Sequence, residues 1–159
     1  MPKIVITQGL DLYPDQIERF KELGDLTIYH ELAKSPDEWL SRVKDADIIC
    51  SGTTYMKTEV YKLKNKFFVI PMVGYSWLDI EKLKQNNITL ANCPGCNKYA
   101  VTEWILAMTI NLLRHFPEAI DTPNPCLAVT DGIGLKDKKI TILGKGNIGS
   151  IVGKIFADL

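Results

Sequence analysis

The sequence has no net charge, no basic block and no long apolar run. Its 19 basic residues balance 19 acidic residues, which argues against nucleic acid or an anionic membrane surface as the main partner. The most apolar run, residues 104–113, contains Thr109 and Asn111 and is about half as long as a membrane-spanning helix. Residues 1–6 resemble a strand and not a signal peptide. We therefore expect a cytoplasmic protein that binds neither membrane nor nucleic acid.

Cysteine and histidine are scarce. Four cysteines in a chain of 159 residues do not suggest a disulfide scaffold. A metal site is not expected, because there is no second C-x-x-C motif and His30 and His115 are isolated. The one C-x-x-C motif, Cys93 to Cys96, lies between a predicted strand and a predicted helix and leaves two alternatives open. It is either a thioredoxin-type dithiol or a plain loop of small residues.

Segments of strand and helix character alternate through residues 1–95. Such alternation implies βαβ units and a parallel sheet, so we predict an α/β, flavodoxin-like substrate domain here. The strands are predicted at 3–7, 26–30, 47–50, 67–73 and 88–91, and the helices at 14–23, from 36, at 60–63 and at 78–86. Ligands bind beyond the carboxyl ends of the strands in such sheets, which are here the loops 8–9, 51–53, 73–75 and 92–97.

Residues 98–120 predict a long helix that ends or is interrupted near Pro117. Because it is apolar on nearly every side, it requires burial on every side. We interpret residues 96–121 as a linking helix that packs between two domains or two subunits, and we expect a homo-oligomer formed through residues 98–120.

Three glycines near the C-terminus have G-x-G-x-x-G spacing between a predicted strand, 140–143, and a predicted helix, 151–159. Gly144 would permit the tight turn, Gly146 would let a pyrophosphate approach the backbone, and Gly149 would let helix and strand pack closely. We predict the first βα unit of a Rossmann domain over residues 122–159, with a plain βα turn as the alternative. The acidic residue that holds the ribose is expected about 20 residues later, beyond Leu159.

Four segments in this order resemble the D-isomer-specific 2-hydroxyacid dehydrogenase family, which includes glycerate, phosphoglycerate and formate dehydrogenases. Residues 72–79 (MVGYSWLD) resemble the family's GVGYDNID loop, and residues 92–97 (NCPGCN) resemble its N-x-P-G-x-N turn. Residues 100–104 (AVTEW), with Arg114 further on, resemble its linking helix. Residues 135–149 resemble its cofactor loop, L-x-G-K-x-x-x-I-x-G-x-G-x-I-G.

The resemblance implies hydride transfer between NAD or NADP and a small 2-keto or 2-hydroxy acid, such as hydroxypyruvate or glycerate. The substrate would contact Ser51, Tyr75, Asn97 and the backbone N–H groups of Val73 and Gly74, because neutral donors can hold a carboxylate. The cofactor would contact Thr102 and the turn residues Gly144, Lys145, Gly146, Asn147, Ile148 and Gly149. Structural interpretations stay open for some of these residues: Asn97 as a helix N-cap, Ser51 as an ordinary turn residue and Tyr75 as a core residue.

The sequence also departs from the family pattern. Met72 replaces a glycine, Ser76 replaces an acid and Thr102 replaces an alanine. The family's catalytic arginine, acid and histidine have no matching motif, so we assign no catalytic residue to this chain. We expect it to be inactive alone, to bind NAD weakly or not at all, and to require a missing C-terminal half or a second subunit. The alternative is a non-catalytic, truncated paralogue that acts as a binding or regulatory partner.

Overall fold

The computed structural model describes residues 1–52, 55–121 and 132–159, which form two compact units, Met1–Pro94 and Gly95–Leu159. Thr53 of the predicted 51–53 loop, and most of the predicted connection between the linking helix and the glycine turn, lie outside the described residues.

The first unit is a parallel five-stranded sheet with helices between the strands. The strand order is β2-β1-β3-β4-β5, which is the flavodoxin-like order, so the predicted fold is confirmed. Its elements in chain order are β1 (Lys3–Ile6), α1 (Pro14–Leu23), β2 (Asp25–Ile28), α2 (Pro36–Val43), β3 (Ile48–Cys50), α3 (Met56–Glu59), a 3-10 turn (Val60–Lys62), β4 (Phe67–Val69), α4 (Ile80–Gln85) and β5 (Thr89–Ala91).

One face of the sheet carries the main core. Val5, Ile49 and Phe68 are paired side by side in register across β1, β3 and β4, so their side chains form a row on the same face. Trp39 of α2 lies over this row, with its ring centroid 6.5 Å from that of Phe68, and Val43 is fully buried beside it. Ser35 begins α2 as the predicted N-cap, because its side chain accepts a hydrogen bond from the Glu38 N–H.

β4 ends earlier than the predicted 67–73. The last sheet bond in this region runs from the Ile70 N–H to the Ala91 carbonyl. The next residue is Pro71, which has no N–H with which to continue the ladder. Residues 72–75 therefore leave the sheet as a loop at its carboxyl edge, in which Met72 is half-buried against the core and residues 73–75 are exposed.

The second unit contains α5 (Lys98–Leu113), α6 (Phe116–Asp121) and α7 (Asn147–Ala157), with α7 packed against α5. The predicted long helix is thus interrupted, as expected near Pro117. Proline cannot donate to the carbonyl of Leu113, four residues earlier, and that carbonyl accepts a hydrogen bond from the Ile133 N–H instead, at 2.7 Å. Among the described residues no helix is long and apolar enough to cross a membrane.

The prediction of a strand at residues 140–143 was wrong. These residues form no strand, and Ile142 and Leu143 are 38% and 103% exposed. A β-strand requires a neighbour to pair its N–H and C=O groups, and the described part of the chain has no strand after β5. Only the turn and the helix of the predicted βα unit are therefore present.

Candidate functional site

The carboxyl ends of β1 and β3 carry a small buried polar cluster. Thr7 donates its hydroxyl to the Ser51 Oγ at 2.7 Å, and the Trp39 indole N–H reaches the same oxygen at 3.3 Å. Ser51 is only 1% exposed. Its hydroxyl therefore helps to satisfy a buried network, while its predicted contact with the substrate stays a prediction.

Arg42 of α2 joins the loops that follow β1 and β2. Its guanidinium donates to the carbonyls of Thr7 (3.3 Å) and Glu31 (2.7 Å) and lies 4.4 Å from the Tyr29 ring centroid. It also pairs with Glu38. The pKa of Glu38 is lowered, first by a hydrogen bond from the Lys34 N–H and then by Arg42. This arrangement fixes one end of the carboxyl edge of the sheet.

The loop after β4 presents the predicted carboxylate-binding residues at the surface. Val73 and Tyr75 are 37% and 46% exposed, and the position that a Cβ on Gly74 would occupy has nothing within 4 Å. Tyr75 is therefore a surface residue and not a core residue. Among the described residues, no atom packs against Gly74 at this position.

Three carbonyl groups hold this loop in place. The Met72 carbonyl accepts from the Cys93 N–H at 3.0 Å, and the Val73 carbonyl accepts from the Asn92 side-chain amide at 2.8 Å. The Gly74 carbonyl accepts from the Trp77 indole N–H at 3.2 Å. Sequence reasoning did not identify Asn92 as a support for the loop, although Asn92 opens the N-x-P-G-x-N motif that carried the resemblance.

Asn97 and Thr102 differ in their accessibility. Asn97 occupies the N-cap position of α5, as the structural interpretation expected, but its side chain makes no capping hydrogen bond and is exposed. Thr102 is 2% exposed, and its hydroxyl donates to the Lys98 carbonyl one helical turn earlier, at 2.7 Å. The cofactor contact predicted for Thr102 stays a prediction.

The glycine turn has the shape that an anion site requires. Gly144 has a φ of +102°, a conformation that favours glycine. A Cβ on Gly149 would lie 2.1 Å from the Gly144 carbonyl oxygen, so only glycine lets α7 begin this close to the turn. Gly146 is the N-cap of α7 and has open space around it.

These features fit a dinucleotide pyrophosphate, because the exposed first turn of an 11-residue helix offers N–H groups and a positive dipole end. Lys145 and Asn147 are exposed beside it, and Ile148 is half-buried. The fit depends on the backbone of the turn and on the absence of a side chain at Gly146.

The cysteines fall into two environments. Cys93 and Cys96 are exposed, whereas Cys50 is buried in β3, and Cys126 lies outside the described residues. Burial raises the pKa of the Cys50 thiol to about 11. In the described ranges, no group of three or more His, Cys, Asp or Glu residues could hold a metal ion.

We expect the buried Cys50 thiol to resist alkylation in the folded chain. We also expect its ionisation to change the free energy of unfolding only at alkaline pH. Its folded-state pKa lies above its unfolded value, so it favours the folded state below about pH 9, and this contribution is lost as the pH rises towards 11. Peptide mapping after iodoacetamide treatment at pH 8 should find the exposed Cys96 labelled and Cys50 labelled only in denaturant. A Cys50→Ala variant should show a shallower loss of stability between pH 9 and 11. Rapid labelling of Cys50 in the folded chain would contradict this.

The first unit is an α/β parallel sheet with open loops at its carboxyl edge, and the second unit has a glycine turn that leads into α7. Residues 4–140 match the family model of the D-isomer specific 2-hydroxyacid dehydrogenase catalytic domain. The chain belongs to this family, as its four motifs suggested.

Curated proteins with similar sequences agree with this assignment. The chain is 29% identical to a hydroxypyruvate reductase of Blautia hydrogenotrophica, over 96% of this chain and 52% of the relative. It is 30% identical to an erythronate-4-phosphate dehydrogenase of Shewanella violacea, over 86% of this chain and 31% of the relative. The chain therefore spans about half the length, or less, of these relatives.

Solved structures show the same fold. An acyclic imino acid reductase (Bsp5), in complex with NADPH and D-arginine, superposes with a TM-score of 0.81 at 26% identity, over 98% of this chain and 53% of the other. A glyoxylate reductase of Paecilomyes thermophila superposes with a TM-score of 0.79 at 17% identity, over 99% and 52%. The first of these holds NADPH, and a 3-phosphoglycerate dehydrogenase of Entamoeba histolytica holds NAD+, so NAD or NADP is the cofactor of this family.

Proposed function

We propose that this chain supplies the substrate-binding loops and the pyrophosphate-binding turn of an NAD(P)-dependent D-2-hydroxyacid dehydrogenase. In this proposal residues 1–95 are the substrate domain, residues 96–121 are the linking helix, and residues 122–159 begin the cofactor domain. The observation that carries it is the match of residues 4–140 to the family model. The exposed loop after β4 and the glycine turn at α7 support it.

The substrate class that we propose is a small 2-keto or 2-hydroxy acid, such as hydroxypyruvate or glycerate. Its carboxylate would accept hydrogen bonds from the N–H groups of Val73 and Gly74, which bind an anion without having to titrate. Tyr75 and Asn97 are exposed and carry side-chain groups that can hydrogen-bond a hydroxyl or a keto oxygen. Ser51 would act through its buried cluster more than by direct contact.

The cofactor that we propose is NAD or NADP, held at its pyrophosphate by the turn from Gly144 to Gly149. When bound, it supplies or accepts the hydride. In the reductive direction the keto carbon gains the hydride, and the keto oxygen gains a proton from an acid that we do not assign to this chain. We therefore expect no turnover from residues 1–159 alone, and weak binding of the cofactor at most.

The exposed apolar side chains of α5 support a proposal about partners. Tyr99, Trp104 and Leu112 are 63%, 65% and 70% exposed, which is unusual for large apolar groups on one helix. We propose that further residues of a complete dehydrogenase, or a second copy of this chain, cover this helix.

Titration of the isotope-labelled chain tests the proposed function. Glyoxylate, a small 2-keto acid, should shift the backbone amide signals of Val73 and Gly74 in a saturable manner, whereas glycolaldehyde, which has no carboxylate, should not. Any shift that a high concentration of NADH or NADPH causes should fall on the amide signals of Gly146 to Gly149, and neither cofactor should be oxidised when glyoxylate is added. Glyoxylate that leaves Val73 and Gly74 unperturbed would refute the proposed substrate site. Oxidation of NADH by this chain would refute the proposed inactivity.

A further inference from the structure

The segment 92–93 contacts the loop after β4 at two successive peptides. The Cys93 N–H donates to the Met72 carbonyl at 3.0 Å, and the Asn92 side-chain amide donates to the Val73 carbonyl at 2.8 Å. Asn92 is half-buried, whereas Val73 and Gly74 are exposed. The loop is therefore attached to the rest of the unit by its carbonyl oxygens.

These two carbonyls determine where two N–H groups point. A trans peptide is planar, so its C=O and N–H are directed to opposite sides, and both peptides are trans. The Met72 carbonyl shares its peptide with the N–H of Val73, and the Val73 carbonyl shares its peptide with the N–H of Gly74. Because both carbonyls point towards segment 92–93, both N–H groups point away from it. Successive N–H groups with a common direction form a concave anion site.

The Asn92 amide also strengthens the group that it orients. A donor bound to a carbonyl polarises the peptide, which makes the N–H of that peptide a better donor. Gly74 has no side chain to restrict its backbone, so without Asn92 the Val73–Gly74 peptide would be held only through the flanking Met72 and Gly74 carbonyls and would be less ordered. The Cys93 contribution is made by the backbone and does not depend on the side chain at 93. Among the described residues, Asn92 is thus the side chain that donates to the peptide carrying the Gly74 N–H.

We propose that Asn92 is a positioning residue, which aims and polarises the Gly74 N–H at the substrate carboxylate through the Val73 carbonyl. This inference rests on the proposed function of the loop. The role assigned to Asn92 is indirect, because its side-chain amide donates to the Val73 carbonyl on the side of the peptide opposite to the Gly74 N–H. Its contribution should appear in carboxylate affinity and in the order of the Gly74 amide, and much less in the stability of the fold.

The test compares Asn92→Ala with Asn86→Ala in the 159-residue chain. Asn86 is a matched control, because its side-chain amide also donates to a backbone carbonyl, that of Tyr61, at 3.0 Å. For each variant we would measure the dissociation constant of glyoxylate from the amide shifts, the 15N relaxation order parameters of Val73 and Gly74, and the thermal midpoint. Asn92→Gln, which retains a donor on a longer side chain, is the conservative variant.

In Asn92→Ala we expect glyoxylate to bind about tenfold more weakly, as for loss of one hydrogen bond, and the Gly74 order parameter to fall below about 0.6. Asn86→Ala should change neither quantity, and Asn92→Gln should restore part of both. Unchanged affinity and unchanged order in Asn92→Ala would overturn the inference while the proposed function stands. If glyoxylate does not bind the wild-type chain, the proposed function fails, and the order parameter alone still decides whether Asn92 fixes the Gly74 peptide.

Discussion

Replacing Trp39 with alanine should lower the free energy of unfolding of the first unit by about 3–5 kcal/mol, the range for truncating a buried aromatic side chain. Trp39 is 2% exposed, packs against Phe68, and donates to the Ser51 hydroxyl. The substitution would leave a cavity over the central strands and remove a donor from the buried polar cluster. For a unit of this size the thermal midpoint, followed by far-UV circular dichroism, should fall by roughly 12 °C or more.

Trp39→Phe separates the two causes. Phenylalanine retains most of the apolar surface but has no indole N–H, so it should cost about 1–2 kcal/mol, chiefly through the lost bond to Ser51 and the smaller ring. A Trp39→Ala midpoint within about 4 °C of wild type would mean that α2 does not anchor the sheet as described. A Trp39→Phe variant as unstable as Trp39→Ala would mean that the polar cluster, and not the packing, dominates.

Replacing Gly149 with alanine should disrupt the glycine turn. The new Cβ would lie 2.1 Å from the Gly144 carbonyl oxygen, a separation that backbone atoms cannot accept, so either the turn or the start of α7 must move. Overpacking of this kind costs about 1–3 kcal/mol. Amide hydrogen exchange along α7 should therefore accelerate by about tenfold or more, beginning at the Ser150 N–H, which donates to the Gly146 carbonyl.

Gly153→Ala is the matched control on the same helix. Its Cβ would meet only the Ile142 Cδ1, at 3.3 Å, and this flexible side chain can shift. Alanine also favours helix by about 1 kcal/mol over glycine, so exchange along α7 should stay the same or slow. If the amides of α7 exchanged as slowly in Gly149→Ala as in Gly153→Ala, the close approach of α7 to the turn would be wrong.

The same two variants test cofactor binding. Any shift that NADH or NADPH causes in the backbone amide signals of Gly146 to Gly149 should be lost in Gly149→Ala and kept in Gly153→Ala.

Local chemistry explains which features the sequence predicted. The N-cap Ser35 followed by Pro36 determined the start of α2, and the missing N–H of Pro117 caused the break after α5. The alternating apolar segments of the first unit predicted a parallel sheet, because buried strands and amphipathic helices leave a periodic signal. The positive φ of Gly144 and the closeness of Gly149 to the turn follow the glycine spacing.

The pairing of strands and the direction of individual side chains are decided only in the tertiary structure. Residues 140–143 have the composition of a strand, but a strand requires a partner, and none is present among the described residues. Ser51 could equally have pointed outwards until Thr7 and Trp39 closed on its hydroxyl. Asn92 lies 19 residues from Val73, so its support of the loop could not be read from local pattern.

The sequence by itself thus determined the family and the order of strands and helices in the first unit, and it predicted two backbone segments suited to anions, since these depend on local residue types. The tertiary structure decided which peptides are held and in which direction their N–H groups point. Those properties depend on contacts between residues far apart in the chain, which a one-dimensional pattern does not contain.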